Sequence, residues 1–353
     1  MKVDFIIVGQ GLAGSLLAFE LLRLHQSILV FDDPDQASAS SVAAGIINPV
    51  VFRRMTKSWL VDTVFAQMES TYHEMEDLLS EKLYDPCQLL KILHEESAQR
   101  WNEKVHTNQL ENYLEVSPDL NFRHRGIHSP FGAGHVVKAG RVDIHQLVSL
   151  FGGLLDRRNQ LRKEKFNFEK LVTNPQGIIY KDVRAEKIIF CEGPAVSQNP
   201  WFTGLKFKHS KGELLEVRIP NLQLDEIISH EVFVMPLGDD RYKVGATYSW
   251  DNLSWNTSPE AREELLTKLK SLVSAPVEVI TQKAGIRPTM HDRKPVLGLL
   301  PEHPQIGILN GLGSKGALLG PYFARQLAEY LTGHSGSIHP EVTIDRFFRK
   351  WKI

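Results

Sequence analysis

Two groups of residues have types and spacings that could do chemistry. The first is Gly9-Gln10-Gly11-Leu12-Ala13-Gly14, with Asp32 coming 23 residues after Gly9 and Asp33 beside it. In a dinucleotide fingerprint the first glycine permits a tight turn. The second lets the backbone approach a pyrophosphate, and the third lets helix and strand pack closely. The helix that opens there offers N–H groups and a partial positive charge to phosphates. The acid at Asp32 stands where a ribose hydroxyl would be bound. The second group is another glycine-rich turn, Gly311-Leu312-Gly313-Ser314-Lys315-Gly316.

These groups need elements to hold them. Phe5 to Val8 reads as a buried parallel strand, residues 13–24 as a helix, and Ser27 to Phe31 as a second strand, giving a βαβ unit. Helices are expected at about 57–82, 95–104, 142–155 and 258–273, the last opened by Ser258-Pro259. The Gly- and His-rich stretch 126–140 reads as loops or edge strands. Lys187 to Cys191 is another buried strand, closed by Glu192-Gly193-Pro194. Between 211 and 249 the pattern changes to alternating strands, with Asp239-Asp240 turning a hairpin. Ile306 to Leu309 precedes the second glycine-rich turn, and a helix runs on to about Leu331.

Bulk properties bound the reading. At 353 residues the chain suits two joined domains, and a net charge of −1 gives no global pull toward nucleic acid or anionic membrane. Cys87 and Cys191 have no ligand-spaced or CxxC partners, so free thiols are expected. The histidines His128, His135, His209, His230 and His291 form no ligand-spaced pair, so no metal is expected. No stretch of ~20 apolar residues is present, and the reading is a soluble, cytoplasmic protein with no membrane partner. Trp250 and Trp255 are expected to pack.

At Gly9–Gly14, Ser41–Gly45 and Ala284–Pro288 the sequence resembles the D-amino-acid oxidase superfamily of flavoenzymes, which includes glycine oxidase, sarcosine oxidase and the FAD domain of a bifunctional tRNA enzyme. Gly140-Arg141-Val142-Asp143, Lys187 to Gly193, Lys211-Gly212-Glu213, and Pro288 through Gly298 match further family segments in order. The resemblance implies an α/β fold, with a Rossmann-like FAD-binding domain and a second α+β substrate domain on a mainly antiparallel sheet. The expected division is 1–84, 136–210 and 285–353 for FAD, and 85–135 and 211–284 for substrate. FAD is expected to bind non-covalently, because the family's tethering cysteine and histidine positions are not filled here.

The resemblance places Ala39, Ser40, Ala44, Gly45 and Ile46 along the FAD, Phe168 near its adenine side, and Gly193 in the turn after the third strand. Gly311, Gly313, Ser314, Lys315 and Gly316 would meet the flavin through backbone N–H groups and a helix dipole. Arg287 would grip a substrate carboxylate, Lys315 would add charge, and Lys243 matches the strand carrying an oxygen-activating lysine in sarcosine oxidase. Arg53, Arg54, His135 and Tyr248 are weaker candidates for the site. Glycine oxidase has an arginine where Ser314 stands, and sarcosine oxidase a lysine where Leu318 stands. The implied activity is oxidation of the C–N bond of an amino acid or N-substituted glycine. The alternatives are processing of a carboxymethylaminomethyl group on a tRNA wobble uridine, and a non-catalytic flavoprotein. A tRNA partner would need basic patches, for which Arg157-Arg158, Arg162-Lys163-Lys165 and Arg346 to Lys352 are the candidates.

Overall fold

The computed structural model describes residues 1–124, 126–334 and 336–348. An eight-stranded sheet is built on the N-terminal βαβ unit. Lys2–Val8 lies between Ile28–Asp32 and Val183–Phe190, parallel to both, and Leu161–Lys163 extends the parallel set beyond Ile28–Asp32. On its other edge Val183–Phe190 serves two further partners. Its first half pairs antiparallel with Gly177–Tyr180, and its second half pairs parallel with His303–Asn310. The central strand is buried on both faces, which is why it reads as a continuous apolar run. Its alternation still shows: Phe5 and Ile7 enter one core, while Ile6 and Val8 enter another. The first core is completed by Leu16, Leu17 and Leu21 of the helix Leu12–Arg23, Phe151 of Ile144–Arg157, and Leu327 of Gly316–Leu331.

A seven-stranded sheet forms the other layer. Its order is Glu278–Arg287, Ser210–Arg218, Arg241–Gly245, Phe233–Gly238, Ile227–Ser229, Leu89–Ile92 and Ala133–Val136. Every neighbouring pair is antiparallel except Ile227–Ser229 with Leu89–Ile92. Leu215, Val217 and Val244 point to one face, where Leu265, Leu269 and Leu272 of the helix Pro259–Leu272 cover them. The opposite face carries Leu214, Phe233, Gly245 and Gly285, which border the main cavity. The period of two thus divides each strand between a core and a site.

Several elements differ from the sequence reading. The helix expected over 57–82 spans only Val61–Leu79. Thr56–Lys57 is taken by a short ladder with Val50–Val51. At the other end Ser80 turns left-handed at φ 55°, and Glu76 accepts the N–H groups of Leu83 and Tyr84, each at 2.7 Å. The helix at 95–104 is two pieces, Glu95–Gln99 and Trp101–Thr107. Within 126–140, Ala133–Val136 becomes a full sheet member through its ladder with Leu89–Ile92. Trp250, expected to pack, is half-exposed. The Asp239-Asp240 hairpin forms between Phe233–Gly238 and Arg241–Gly245, with both aspartates left-handed at φ 53° and 56°. Cys87 and Cys191 are free thiols. Among the described residues no helix is long and apolar enough to cross a membrane.

Candidate active site

A cavity of about 660 Å³ runs from the C-terminal end of Lys2–Val8 to the open face of the seven-stranded sheet. One end is made by the first glycine-rich turn. Gly9 adopts φ 99°, and a Cβ on Gly14 would lie 1.8 Å from the Gly9 carbonyl oxygen. Only glycine at both places lets Leu12–Arg23 start so close to the strand. The Gln10 N–H donates to Asp32 Oδ1 at 2.8 Å, tying the acid to the turn. Burial raises the Asp32 carboxyl above its ordinary range, partly offset by that hydrogen bond. The Leu12 N–H donates to Ser40 Oγ at 3.0 Å. A Cβ on Gly11 would meet Ser40 Oγ at 3.2 Å and Ser38 Oγ at 3.7 Å, so the open space beside Gly11 has a hydroxyl-lined wall.

Of the residues singled out in the sequence, Gly9, Gly11, Leu12, Ala13, Asp32, Asp33, Ala39, Ser40, Ala44, Gly45, Ile46, Phe168, Gly193, Gly313, Ser314, Lys315, Gly316, Arg287 and Tyr248 line this cavity. Gly14 and Gly311 lie behind it as packing points. A Cβ on Gly311 would meet Met290 Cγ at 2.7 Å. Lys243 is outside the lining. It is on the same strand face as Gly245, but its charged neighbours are Asp143, Lys283, Glu216 and Arg141, and burial lowers its pKa. His135 is also outside the lining, and Arg53 and Arg54 sit on an exposed turn.

The cavity wall also holds two cations without carboxylate partners among the described residues. Arg287 closes the strand Glu278–Arg287, and its guanidinium carbon stands 4.2 Å from the Tyr248 ring centroid. Its Nη2 makes one long contact, 3.5 Å, to the Thr247 carbonyl. Its Nη1 is buried with no hydrogen-bond partner. Gly212 on the neighbouring strand makes room for it, since a Cβ there would lie 2.0 Å from Nη2. Burial lowers the Arg287 pKa, with the Tyr248 interaction opposing. Lys315 precedes the helix Gly316–Leu331, and its Nζ donates to Ser58 Oγ. Burial pushes its pKa down to about 8. A buried charge without a partner is costly, so both groups favour an anion in the cavity.

Glu192 was read in the sequence only as part of a strand stop. The structure half-buries it on the cavity wall, where it accepts from Asn199 Nδ2 at 2.7 Å. Burial pushes its carboxyl up to about 7. The only signal was an acid directly after an apolar strand. Three of the six described cations in the proposed basic patches are paired with acids. Arg162 bonds both oxygens of Asp182 at 2.6 Å, Lys163 meets Asp156 at 2.6 Å, and Arg346 meets Asp292 at 3.1 Å. Arg349, Lys350 and Lys352 lie outside the described residues.

The glycine turn, the acid beside it, the space along Gly11 and the two unpaired cations together fit a long anionic dinucleotide plus an acidic substrate. Comparison with known proteins agrees in kind. The model of the family described as "FAD dependent oxidoreductase" matches residues 4–330. The tRNA 5-methylaminomethyl-2-thiouridine biosynthesis bifunctional protein of Marinobacter nauticus is 26% identical over 165 residues, 42% of this chain but only 26% of that protein. An uncharacterized oxidoreductase of Bacillus subtilis is 22% identical over 355 residues, 94% of this chain and 95% of that one. Among solved structures, glycine oxidase from Geobacillus kaustophilus superposes with a TM-score of 0.80 at 22% identity, covering 95% of this chain and 96% of that one. Iminodiacetate oxidase from Chelativorans gives a TM-score of 0.78 at 19% identity, covering 96% and 99%. At these identities the superpositions speak for the fold.

Proposed function

The chain belongs to the FAD dependent oxidoreductase family, and on that premise we propose that it oxidises the C–N bond of a small amino acid or N-substituted glycine. It is an FAD-dependent oxidoreductase; the amine substrate is the part inferred. The observation that carries the inference is Arg287, a half-buried guanidinium whose buried Nη1 has no hydrogen-bond partner, on the open face of the seven-stranded sheet where it borders the cavity. Such a group is completed by a carboxylate through a charge-assisted, two-point contact.

When bound, FAD supplies the acceptor for the hydride leaving the substrate carbon. The chain's own residues bind and orient. Gly9, Gly11 and the helix start would hold the pyrophosphate, and Asp32 would accept from the ribose. Arg287 fixes the substrate carboxylate, and Tyr248, stacked on the guanidinium, limits its swing. The apolar surface of Leu214 and Phe233 excludes water around the reacting C–N bond. Lys315, at the start of Gly316–Leu331, adds positive potential where negative charge develops on reduction. The substrate carbon gives up a hydride, its nitrogen gives up a proton, and the resulting imine hydrolyses in water to a carbonyl compound and an amine.

In this reading FAD is held without a covalent bond by segments 1–84, 136–210 and 285–353. The remaining segments, 85–135 and 211–284, shape the substrate chamber. The strands of the eight-stranded sheet, which all come from the first set, support that division. A substrate carried on tRNA is a second reading, favoured by the Marinobacter relative. The acid partners of Arg162, Lys163 and Arg346 count against it. The test is the anaerobic absorbance spectrum of the purified protein before and after sarcosine is added. Bleaching of the oxidised-flavin band supports C–N oxidation. A band unchanged by sarcosine, glycine and D-amino acids would remove the small-amine reading.

A further inference from the structure

We propose that Tyr248 and Trp250 form a stacking subsite at the cavity mouth, and that the substrate carries a planar aromatic group on its amine nitrogen. The proposal rests on Arg287 as the carboxylate holder and adds the identity of the nitrogen substituent. Tyr248 is 55% and Trp250 50% exposed, and their rings lie 6.2 Å apart between centroids at 27°. Tyr248 is continuous with the cavity, and its ring is 4.2 Å from the Arg287 guanidinium. A carboxylate seated on Arg287 would lie next to the Tyr248 ring, so a group on the amine nitrogen that reaches toward the mouth would meet this pair. Their exposed faces favour a planar ring over an alkyl group.

The two rings stand on a frame that is held from below. Lys211 and Ser249 exchange backbone hydrogen bonds of 2.8 and 3.0 Å, and Glu213 N–H donates to Thr247 Oγ1 at 2.9 Å. Beneath them Lys211 and Glu213 form a buried ion pair at 3.1 Å. Lys211 Nζ also donates to the Asn256 carbonyl at 2.5 Å, and Glu213 accepts from the Ser258 N–H at 3.0 Å. Both ends of the segment that carries the rings are therefore tied to the sheet. Rigid, half-exposed aromatic side chains make good anchors, because little conformational freedom is lost on binding.

The test uses the FAD-loaded protein and two thioether acids in which sulfur replaces the oxidisable nitrogen. These are (methylthio)acetate, matching sarcosine, and (benzylthio)acetate, matching N-benzylglycine. Titration calorimetry reads binding without turnover. The aromatic acid is expected to bind about tenfold tighter. Trp250→Ala should erase most of that ratio and leave (methylthio)acetate unchanged, while Trp250→Phe should keep it. Equal affinity of the two acids, or an unchanged ratio in Trp250→Ala, overturns the subsite and leaves the Arg287 reading intact. If neither acid binds, the carboxylate reading falls and the subsite falls with it.

Discussion

Gly212→Ala is the sharpest test of how Arg287 is held. The added Cβ would lie 2.0 Å from Arg287 Nη2 and 2.4 Å from both Cζ and Nη1. No other group comes closer to that position, so the methyl acts on the guanidinium. Non-bonded carbon and nitrogen need roughly 3.4 Å, so the fork must move by about 1 Å or more. Losing one arm of a charge-assisted pair costs about 1.5–3 kcal/mol. A displacement of this size can cost about a hundredfold. KM for a carboxylate-bearing amine should therefore rise roughly ten- to a hundredfold. The FAD-to-protein absorbance ratio should not change. The assay is the substrate dependence of anaerobic flavin bleaching in the wild type, Gly212→Ala, Arg287→Ala and the double variant. Because both changes act on one contact, the double variant should resemble Arg287→Ala alone. An unchanged KM in Gly212→Ala, or effects that add in full, would refute the reasoning.

Three further outcomes are expected. Arg287→Ala should keep its FAD and raise KM by a factor worth about 2–5 kcal/mol, roughly thirty- to several-thousand-fold, with Arg287→Lys falling between because it lacks the fork; normal kinetics in the alanine variant would take Arg287 out of the site. Gly11→Val should abolish FAD retention, since its branches fill the space beside Ser38 and Ser40, and a normal flavin content after gel filtration would break the fingerprint argument. Lys315 is lowered from 10.5 to about 8, so between those values the unfolded chain binds more protons. The stability of FAD-free protein should then climb as pH rises through that window, by up to about 3 kcal/mol attributable to this group. In Lys315→Met the extra slope should vanish and stability below pH ~8 should increase; parallel urea-melt profiles for the two proteins would contradict this.

The first βαβ unit was legible because its signals are local. The turn glycines, the helix behind them and Asp32 lie within one short stretch, and backbone sterics alone give each glycine its reason. The same holds for the helix opened by Ser258-Pro259, where the Ser258 hydroxyl accepts from the Ala261 N–H, and for the Asp239-Asp240 hairpin. The membership of 133–136 in a sheet was not legible, because the ladder with 89–92 joins segments some forty residues apart. A run of small and polar residues carries no local sign of such a partner. Strand alternation placed Lys243 and Gly245 on one face, yet in the structure Gly245 borders the cavity while Lys243 lies outside its lining, with Asp143, Glu216 and Arg141 as its charged neighbours. Burial of Glu192, the exposure of Trp250 and the meeting of Lys315 with Ser58 depend likewise on distant segments. Sequence by itself therefore determined a dinucleotide-binding start and named the cations. Tertiary structure decided which cations are left unpaired and what surrounds them, because desolvation and pairing are set by neighbours far along the chain.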